Sequence, residues 1–316
     1  MALTVNETNS VSAQGFDKSL TQVCFESSPF FTRMKQLKKN KVKGGVDLRW
    51  TIRYTQLDRA DAVEARDQII FGQKETRTAA VLDWKYYMVD AMISWDEITK
   101  NYSKEAIISL IEDKTTELKE DMDERFSTDL WTANPNGHGI SPMPTIVDTG
   151  DAYAGIAVAD ADSNWQSGFE DNATTELVLY GDQSISEAMN AATFGKRSPN
   201  FYVTTKDLWS KFESLIEPQI RYQNKAMGDA GFKNVAWHGD PVVSDTHIAS
   251  GDFYGLCMDV FELWTSPQSN FDVTPWKELF QAGYPKAQAK VLTWAGNLVC
   301  KDRKPNFKFT ALDFTE

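Results

Sequence analysis

The longest stretch of helical periodicity in the chain lies between Ser103 and Ala133 and predicts a single, unusually long helix. Neither Gly nor Pro interrupts this stretch, and the segment at 134–137, Asn-Pro-Asn-Gly, is a typical helix stop. At 1.5 Å per residue, such a helix would be roughly 46 Å long. Apolar residues recur in it at spacings of three, four and seven, and we predict that its packing face contains Ile107, Ile111, Leu118, Met122, Phe126 and Leu130.

The apolar stripe of this helix rotates around the helix axis, because the four-residue steps from Leu118 to Leu130 each advance it by about 40°. A coiled coil would hold the stripe in a constant heptad register, so we expect the helix to lie across several elements of its own domain. Its opposite face is acidic, and the simplest interpretation is that solvent covers these residues: Glu112, Asp113, Glu117, Glu120, Asp121, Asp123 and Glu124.

The period of the pattern changes to two between Val46 and Tyr54, which predicts a strand. A second alternating run, from Leu82 to Met88, follows a segment that is dense in both signs of charge. We predict that the two runs are the arms of one long hairpin. Because an isolated two-stranded hairpin is marginally stable in water, it either folds back on its own domain or docks on another subunit.

Shorter elements are expected before and after these two. The Ser28-Pro29 pair predicts the start of a helix, and Thr205 is expected to cap a later one. No alternation of strand, helix and parallel strand is visible, so the predicted fold class is α+β with segregated elements. The remaining predictions are a helix at 184–192, strands at 177–180, 201–203, 234–243 and 253–264, and a strand at 286–300 that is interrupted at 295–297.

Composition and charge narrow the class of protein. With 316 residues, 41% of them hydrophobic, the chain can bury one large core or two smaller ones. Its formal charge of −12 disfavours nonspecific binding to nucleic acid. No apolar run is long enough to span a membrane, and the N-terminus lacks the apolar core of a signal peptide, so we expect no membrane contact and synthesis in a cytoplasm. Isolated Cys24, Cys257 and Cys300 fit reduced thiols.

Sequence motifs of catalysis are absent. The chain contains no Gly-rich phosphate loop, dinucleotide fingerprint, nucleophile elbow or H-E-x-x-H pair. The histidines His138, His238 and His247 do not have the spacing of metal ligands on one helical turn. We therefore predict no catalytic residue, no cofactor and no metal. Glu117 and Asp121, four residues apart on the long helix, could work as an acid–base pair, but a solvated helix face explains them more simply.

The order of the elements, together with local sequence, resembles the major capsid protein of tailed bacteriophages, which has the Hong Kong ninety-seven phage fold. The residues that support the resemblance are 79–87 (AAVLDWKYY) with 104–108 (KEAII), 237–243 (WHGDPVV) with 221–222 and 231–232, and 294–300 (WAGNLVC). The resemblance extends over nearly the whole chain, although each motif alone is only moderately specific.

This resemblance implies a division of the chain. Residues 1–44 would form an N-terminal arm and 45–95 an extended hairpin loop that lies over a neighbouring subunit. Residues 96–177 would form the peripheral domain, with the long helix at 103–133 as its spine, and 285–316 would return to it. Residues 178–284 would form the axial domain, which gathers around the axis of a hexamer or pentamer.

The resemblance also implies a function. The chain would assemble with itself, as hexamers and pentamers, into the icosahedral head shell of a tailed phage. The shell would enclose double-stranded DNA without sequence-specific binding. The arm begins almost at Met1, so a separate scaffolding protein is expected, with a portal and a candidate decoration protein. The particle would assemble in the host bacterial cytoplasm and the chain would reside in the virion. Inter-subunit contacts are expected from Phe30, Phe31, Arg49, Trp50, Arg53, Tyr54, Asp58, Arg59, Glu64, Arg66, Asp67, Phe71 and Arg77.

Two alternatives remain open from the sequence. An encapsulin-like bacterial compartment has the same fold but holds a protein cargo in place of DNA. A soluble acidic enzyme of α+β fold, which would use the Glu117 and Asp121 carboxylates, belongs to a different class.

Overall fold

The computed structural model describes residues 28–37, 39–58, 60, 62–64, 72–100, 104–173, 176–216, 235–279 and 286–313. No helix within these ranges is both long and apolar enough to cross a lipid bilayer. Some of the predictions fall outside them. They are the arm up to residue 27 with Cys24, the motif residues at 221–222 and 231–232, and the expected interface residues Arg59, Arg66, Asp67 and Phe71.

Most strand pairs are antiparallel, as is typical of the α+β class. The α-helices are α1 (Pro29–Lys35), α2 (Trp95–Lys100), α3 (Lys104–Trp131), α4 (Met143–Ile146), α5 (Ile185–Ala192) and α6 (Lys206–Leu215). The strands are β1 (Lys39–Lys41), β2 (Asp47–Arg53), β3 (Arg77–Asp83), β4 (Lys85–Ile93), β5 (Phe169–Asp171), β6 (Phe201–Thr204), β7 (Val235–Trp237), β8 (Asp240–Ser244), β9 (Phe253–Leu256), β10 (Phe261–Thr265), β11 (Asp272–Val273), β12 (Lys277–Glu278), β13 (Gln288–Cys300) and β14 (Phe307–Phe309).

The long helix α3 agrees with the predicted helix to within two residues at its C-terminus. Leu118, Met122, Phe126 and Leu130 are buried, and Ile111 is half-buried. Ile107 belongs to α3, but its side chain is outside the described set. The Phe126 ring lies 4.3 Å from the ring of Tyr87 on β4 and 4.7 Å from that of Trp294 on β13, measured between centroids. The helix therefore packs on the first sheet through aromatic contacts.

The first sheet is built around β13, the longest strand. It pairs antiparallel with β4, β10, β11 and β12, and β1 adds in parallel to β10. The interruption predicted at 295–297 is wrong, because β13 continues unbroken to Cys300. At Gly296 a Cβ atom would lie 2.3 Å from the carbonyl oxygen of Trp264 on β10, so the glycine permits close strand packing and does not mark a turn.

The second sheet has the order β5-β14-β9-β6-β8-β7 and lies between two cores. Along β6, Phe201 and Val203 enter the first core, whereas Tyr202 between them enters the second. The first core also contains the side chains of α3 and the first sheet, and α5 and α6 cover the second. The two cores therefore lie on opposite faces of one sheet.

The hairpin differs from the prediction in its returning arm. β2 pairs antiparallel with β3, in a register that places Leu48 opposite Leu82 and Arg53 opposite Arg77. The predicted arm at 82–88 spans the break at Trp84, whose indole nitrogen donates to the Gly45 carbonyl at 3.0 Å. After this break the chain enters the first sheet as β4. A strand predicted at 177–180 is also absent, since only Glu176 forms an isolated bridge there, to Asp313.

Candidate assembly interface

The base of the hairpin folds back on its own chain. One face of the β2–β3 pair places Leu48, Ile52, Ala80 and Leu82 in the first core. The backbone of β3 is also hydrogen-bonded to the rest of the subunit, because the Val81 amide donates to the Ala154 carbonyl at 2.9 Å. The base of the hairpin therefore folds back on its own domain and does not depend on another subunit for cover.

Trp50 lies on this inward face and is half-buried. Its ring is 6.4 Å from that of Tyr153 and 6.0 Å from that of Trp264. Its indole nitrogen is buried and has no hydrogen-bond partner within the described part of the chain. These contacts make Trp50 chiefly a packing residue of its own subunit, a role that differs from the predicted contact between subunits.

The outward face of the hairpin is basic and exposed. Arg49 is 2.8 Å from Asp47, its neighbour on the same strand. Arg53 is directly opposite Arg77 in the register. Like charges at directly opposed positions destabilise a sheet. The Arg53–Arg77 pair therefore does not contribute to the stability of the isolated subunit.

The tip beyond the paired strands exposes apolar side chains. Leu57 is 52% exposed and Val63 is 60% exposed. Near them, Lys74 and Asp58 form an exposed ion pair at 2.7 Å, and the Tyr54 hydroxyl donates to the Glu75 carbonyl at 3.3 Å. An exposed ion pair contributes little to stability. The tip therefore has apolar surface that its own chain does not cover. Glu64, the other described residue expected at an interface there, is exposed as well.

The two aromatic residues of the arm are in the core, which corrects their assignment to an interface. Phe30 is fully buried, with its ring 5.1 Å from that of Trp131, and Phe31 is 5.6 Å from Phe126. The ammonium of Lys35, one turn further on, is 2.6 Å from the Asp123 carboxylate of α3. Helix α1 is thus fastened to the long helix of its own subunit.

The acidic face of α3 is only partly solvated, which also differs from the expectation. Asp123 pairs with Lys35, and the carboxylate of Glu124 lies 3.0 Å from the imidazole Nε2 of His247. The other ring nitrogen of His247 is 2.9 Å from Asp245, whose second oxygen accepts from the Ser28 hydroxyl. This network joins α1, α3 and the loop after β8. The hydrogen bond with Asp245, helped by that with Glu124 and opposed by burial, raises the pKa of His247 to about 9.

Arg303 organises the irregular connection after α3, and no sequence motif marks it as a functional or structural residue. The side chain is fully buried, and its guanidinium lies 5.8 Å from the centre of the Tyr153 ring. It donates hydrogen bonds of 2.8–3.1 Å to backbone carbonyls of five residues: Thr145, Ile146, Asp148, Asp151 and Trp165. One side chain from near the C-terminus therefore holds the irregular segment between residues 145 and 165 in place.

Lys308 fixes the same connection with charge. Its ammonium is 2.6 Å from Asp148 and 3.0 Å from Glu170. Burial alone would raise the pKa of both carboxyls, but hydrogen bonds outweigh it and lower both. The bond from Lys308 does so at Asp148, and those from Thr149 and then Lys308 do so at Glu170.

A second missed feature is a row of exposed apolar side chains on β4. Tyr86 and Met88 are each 71% exposed and Met92 is 40% exposed, whereas Tyr87 and Ile93 face the core. An unbroken alternation from Leu82 to Met88 would place Tyr86 and Met88 on the same face as Leu82, which is buried. The interruption between β3 and β4 at Trp84 shifts the alternation by one residue. Such a shift exchanges the side chains that face the core with those that face outward.

A groove of about 690 Å³ lies between the hairpin and the rest of the subunit. We call it the basic groove, because its lining contains Arg53, Arg197, Lys301 and Lys304 together with the aromatic rings of Trp50, Tyr54, Trp165 and Phe194. Asp302 pairs with Arg197 at 2.8 Å, and Glu262 pairs with Lys301 at 2.8 Å. Within the described residues, Arg53 and Lys304 have no carboxylate partner.

The carboxylates proposed for an enzyme do not form an enclosed site. Asp121 is exposed on α3, where partial desolvation, followed by the charge of Glu117, raises its pKa. Among the described residues, no group of three or more His, Cys, Asp or Glu side chains could hold a metal ion. Cys257 and Cys300 are buried free thiols.

No model of a protein family matches the chain, and no curated protein matches it in sequence. Its structure, however, is similar to those of solved capsids. The cyanophage A-1(L) capsid asymmetric unit matches with a TM-score of 0.66 at 16% identity, over 98% of this chain and 99% of that chain. The chain has the fold of a phage capsid protein. A capsid of a native GTA particle also matches, with a TM-score of 0.64 at 9% identity over 96% of both chains.

The same fold is found in an encapsulin. The holo-SrpI encapsulin complex from Synechococcus elongatus PCC 7942 matches with a TM-score of 0.57 at 11% identity, over 100% of this chain and 98% of that chain. The capsid fold predicted from the resemblance is therefore confirmed, and it is the fold alone that these similarities establish. The three likenesses each extend over at least 96% of this chain.

Proposed function

We propose that this chain is a major capsid protein that assembles with itself into the icosahedral head shell of a tailed phage and encloses double-stranded DNA. The observation that supports the proposal most strongly is the likeness to the cyanophage A-1(L) capsid over 98% of this chain and 99% of that chain. The role is structural, and no residue is assigned to catalysis.

Copies of the chain would form hexamers and pentamers through surfaces that a single subunit leaves open. Those surfaces are the tip with Leu57 and Val63, the outward arginines of the hairpin, and the apolar row on β4. Residues 1–44 and 45–95 would serve as the arm and extended loop, and 178–284 as the axial domain. Exposed ion pairs between copies would each add little energy but would fix the register of the contact.

Packaged DNA would be enclosed without recognition of its sequence. The formal charge of −12 repels the phosphate backbone, so an acidic inner wall would let DNA move during filling. A separate scaffolding protein and a portal are the further partners of this model, with a decoration protein as another candidate. Assembly would take place in the host cytoplasm.

Negative-stain microscopy of the purified chain, alone and after co-expression with a scaffolding protein, tests the proposal. We expect closed, hollow shells of uniform diameter in at least one of the two preparations. A chain that elutes as a monomer at high concentration, with and without the scaffold, would contradict a shell function.

An encapsulin-like compartment is the second candidate, and the match to the SrpI encapsulin complex favours it. The contents of shells isolated from the native source separate the two functions. Nuclease-protected double-stranded DNA supports the phage head, whereas a single enriched protein inside the shell supports the compartment.

A further inference from the structure

The two ends of helix α5 carry different surfaces. The C-terminal end leads into the tight turn from Phe194 to Arg197, which forms one wall of the basic groove. Phe194 is 56% exposed, and the Lys304 ammonium lies 4.6 Å from the centre of its ring. This end of α5 therefore combines an uncovered aromatic ring with an excess of positive charge.

The N-terminal end of α5 combines apolar groups with negative charge. We call it the acidic end and define it as Glu176, Val178, Tyr180 and Asp182. Val178 is 42% exposed and Tyr180 is 66% exposed, with one side of the Tyr180 ring against Trp237 at 5.5 Å. Glu176 and Asp182 are exposed.

Helix α6 extends the same patch. Lys211 is 3.1 Å from the Glu176 carboxylate, which is 72% exposed. Leu215, one turn after Lys211 and on the same helix face, is 40% exposed. Leu215 therefore adds a third exposed apolar side chain beside Val178 and Tyr180 of the acidic end.

Helix electrostatics alone does not account for these surfaces. Acids near the start of a helix and bases near its end complement the helix dipole, so the charge distribution along α5 would be favourable in an isolated subunit. The uncovered rings of Tyr180 and Phe194 have no such explanation, because burying them would stabilise the protein and leaving them in water does not. Both ends thus have the composition of a contact surface.

The position of the two surfaces matches the symmetry of a ring. α5 has eight residues, so its two ends are about 12 Å apart along the helix axis. A ring of identical subunits is closed by heterologous contacts, in which two different patches of one subunit meet the complementary patches of its two neighbours. The basic groove and the acidic end are two such different patches, with complementary charge.

We propose that the basic groove of one copy receives the acidic end of the next copy around a capsomer ring. The inference rests on the proposed shell function and deepens it, because it names two surfaces through which neighbouring copies meet. Tyr180 would enter the groove beside Phe194, and the carboxylates of Glu176 and Asp182 would face Arg53 and Lys304. Burial of the rings supplies most of the stabilisation, and the charges set the orientation.

Charge reversal tests the contact. The first variant, Arg53→Glu with Lys304→Glu, reverses the groove, and the second, Glu176→Lys with Asp182→Lys, reverses the acidic end. Each alone is expected to reduce the yield of shells roughly tenfold or more. The chain that carries all four substitutions restores opposite charges at every contact, so it is expected to assemble close to the wild-type yield. Melting temperatures of the unassembled subunits show whether each variant folds.

Mixing the two single-sided variants adds a test of ring geometry. Opposite charges meet at every contact only if the variants alternate, and strict alternation closes rings with an even number of members. The mixture is therefore expected to give six-membered rings and no five-membered ones in negative stain. If a charge variant fails to fold, Tyr180→Ser and Phe194→Ser replace it, since they remove exposed rings and are expected to block assembly while thermal melts still show a folded subunit.

Normal shells from either reversed variant, or no assembly of the folded four-substitution chain, would overturn this inference while wild-type shells still support the proposed function. Absence of wild-type shells would instead refute the function and, with it, the contact.

Discussion

Arg303 shows how much of this fold depends on a single buried cation. Its guanidinium satisfies backbone carbonyls of five residues in a segment that has almost no regular structure. Such a segment has few hydrogen bonds of its own, and buried carbonyls without a donor are unfavourable. The side chain therefore takes the place of secondary structure between α3 and the second sheet.

Replacing Arg303 by Met should destabilise the subunit severely. The substitution leaves several buried carbonyls without donors, each worth about 1–3 kcal/mol, so we expect a loss of at least roughly 3 kcal/mol. Urea unfolding of the unassembled chain measures it. Arg197→Met is the matched control, because its ion pair with Asp302 is half-exposed and its loss should amount to about 1 kcal/mol or less. Equal losses would contradict the role assigned to Arg303.

The network of His247 makes stability depend on pH. Its pKa rises from an ordinary value of 6.5 to about 9, so the folded state binds the proton more tightly than the unfolded state. The stabilisation is complete below pH 6.5 and is lost as pH rises to about 9. The difference in melting temperature between the wild type and His247→Gln should therefore shrink across that interval. A difference that is constant from pH 6.5 to pH 9 would exclude the proton linkage.

At the scale of elements, the hairpin divides into a base that packs and a tip that does not. The inner face of β2 and β3 belongs to the first core, whereas Leu57 and Val63 at the tip are more than half exposed. This division changes what substitution of Trp50 should do. Its contacts with Tyr153 and Trp264 predict an effect on the subunit itself, where the sequence suggested an effect on assembly.

Trp50→Ala should lower the free energy of unfolding by roughly 2–3 kcal/mol, less than for a fully buried tryptophan because the ring is only half-buried. Replacement of residues 58–74 by a short turn should leave the melting temperature nearly unchanged and prevent closed shells. The two variants are thus expected to separate stability, measured by thermal melts, from assembly, measured by microscopy. A stable Trp50→Ala subunit that cannot assemble would return Trp50 to the interface.

Several elements were predictable because local physics defines them. Helix α3 has an unbroken apolar periodicity, and Ser28, Ser184 and Thr205 accept the capping hydrogen bonds that their side chains predict. The errors arose where a long-range contact decides the outcome. Gly296 suggested a turn but allows β13 to approach Trp264, and the break at Trp84 reversed the faces of β4.

At the scale of the whole molecule, the shared second sheet should make the subunit unfold as one unit. Neighbouring residues of β6 enter different cores, so neither core can lose its packing without disturbing the other. Phe126→Ala in the first core and Phe212→Ala in the second should each destabilise by about 3–5 kcal/mol. Calorimetry should show a single transition that moves to lower temperature in both variants. Two separate transitions would show that the cores unfold independently.

The sequence by itself determined the fold class, the long helix, the first arm of the hairpin and, through a resemblance carried by short motifs, the capsid architecture. These follow from periodicity, capping and the order of elements, which are local along the chain. The tertiary structure decided which residues face a core and which remain for a partner. It buried Phe30 and Phe31, exposed Tyr86 and Met88, and placed a basic groove and an acidic end near the two ends of one helix. Such assignments depend on contacts between residues far apart in sequence, and no local pattern encodes them.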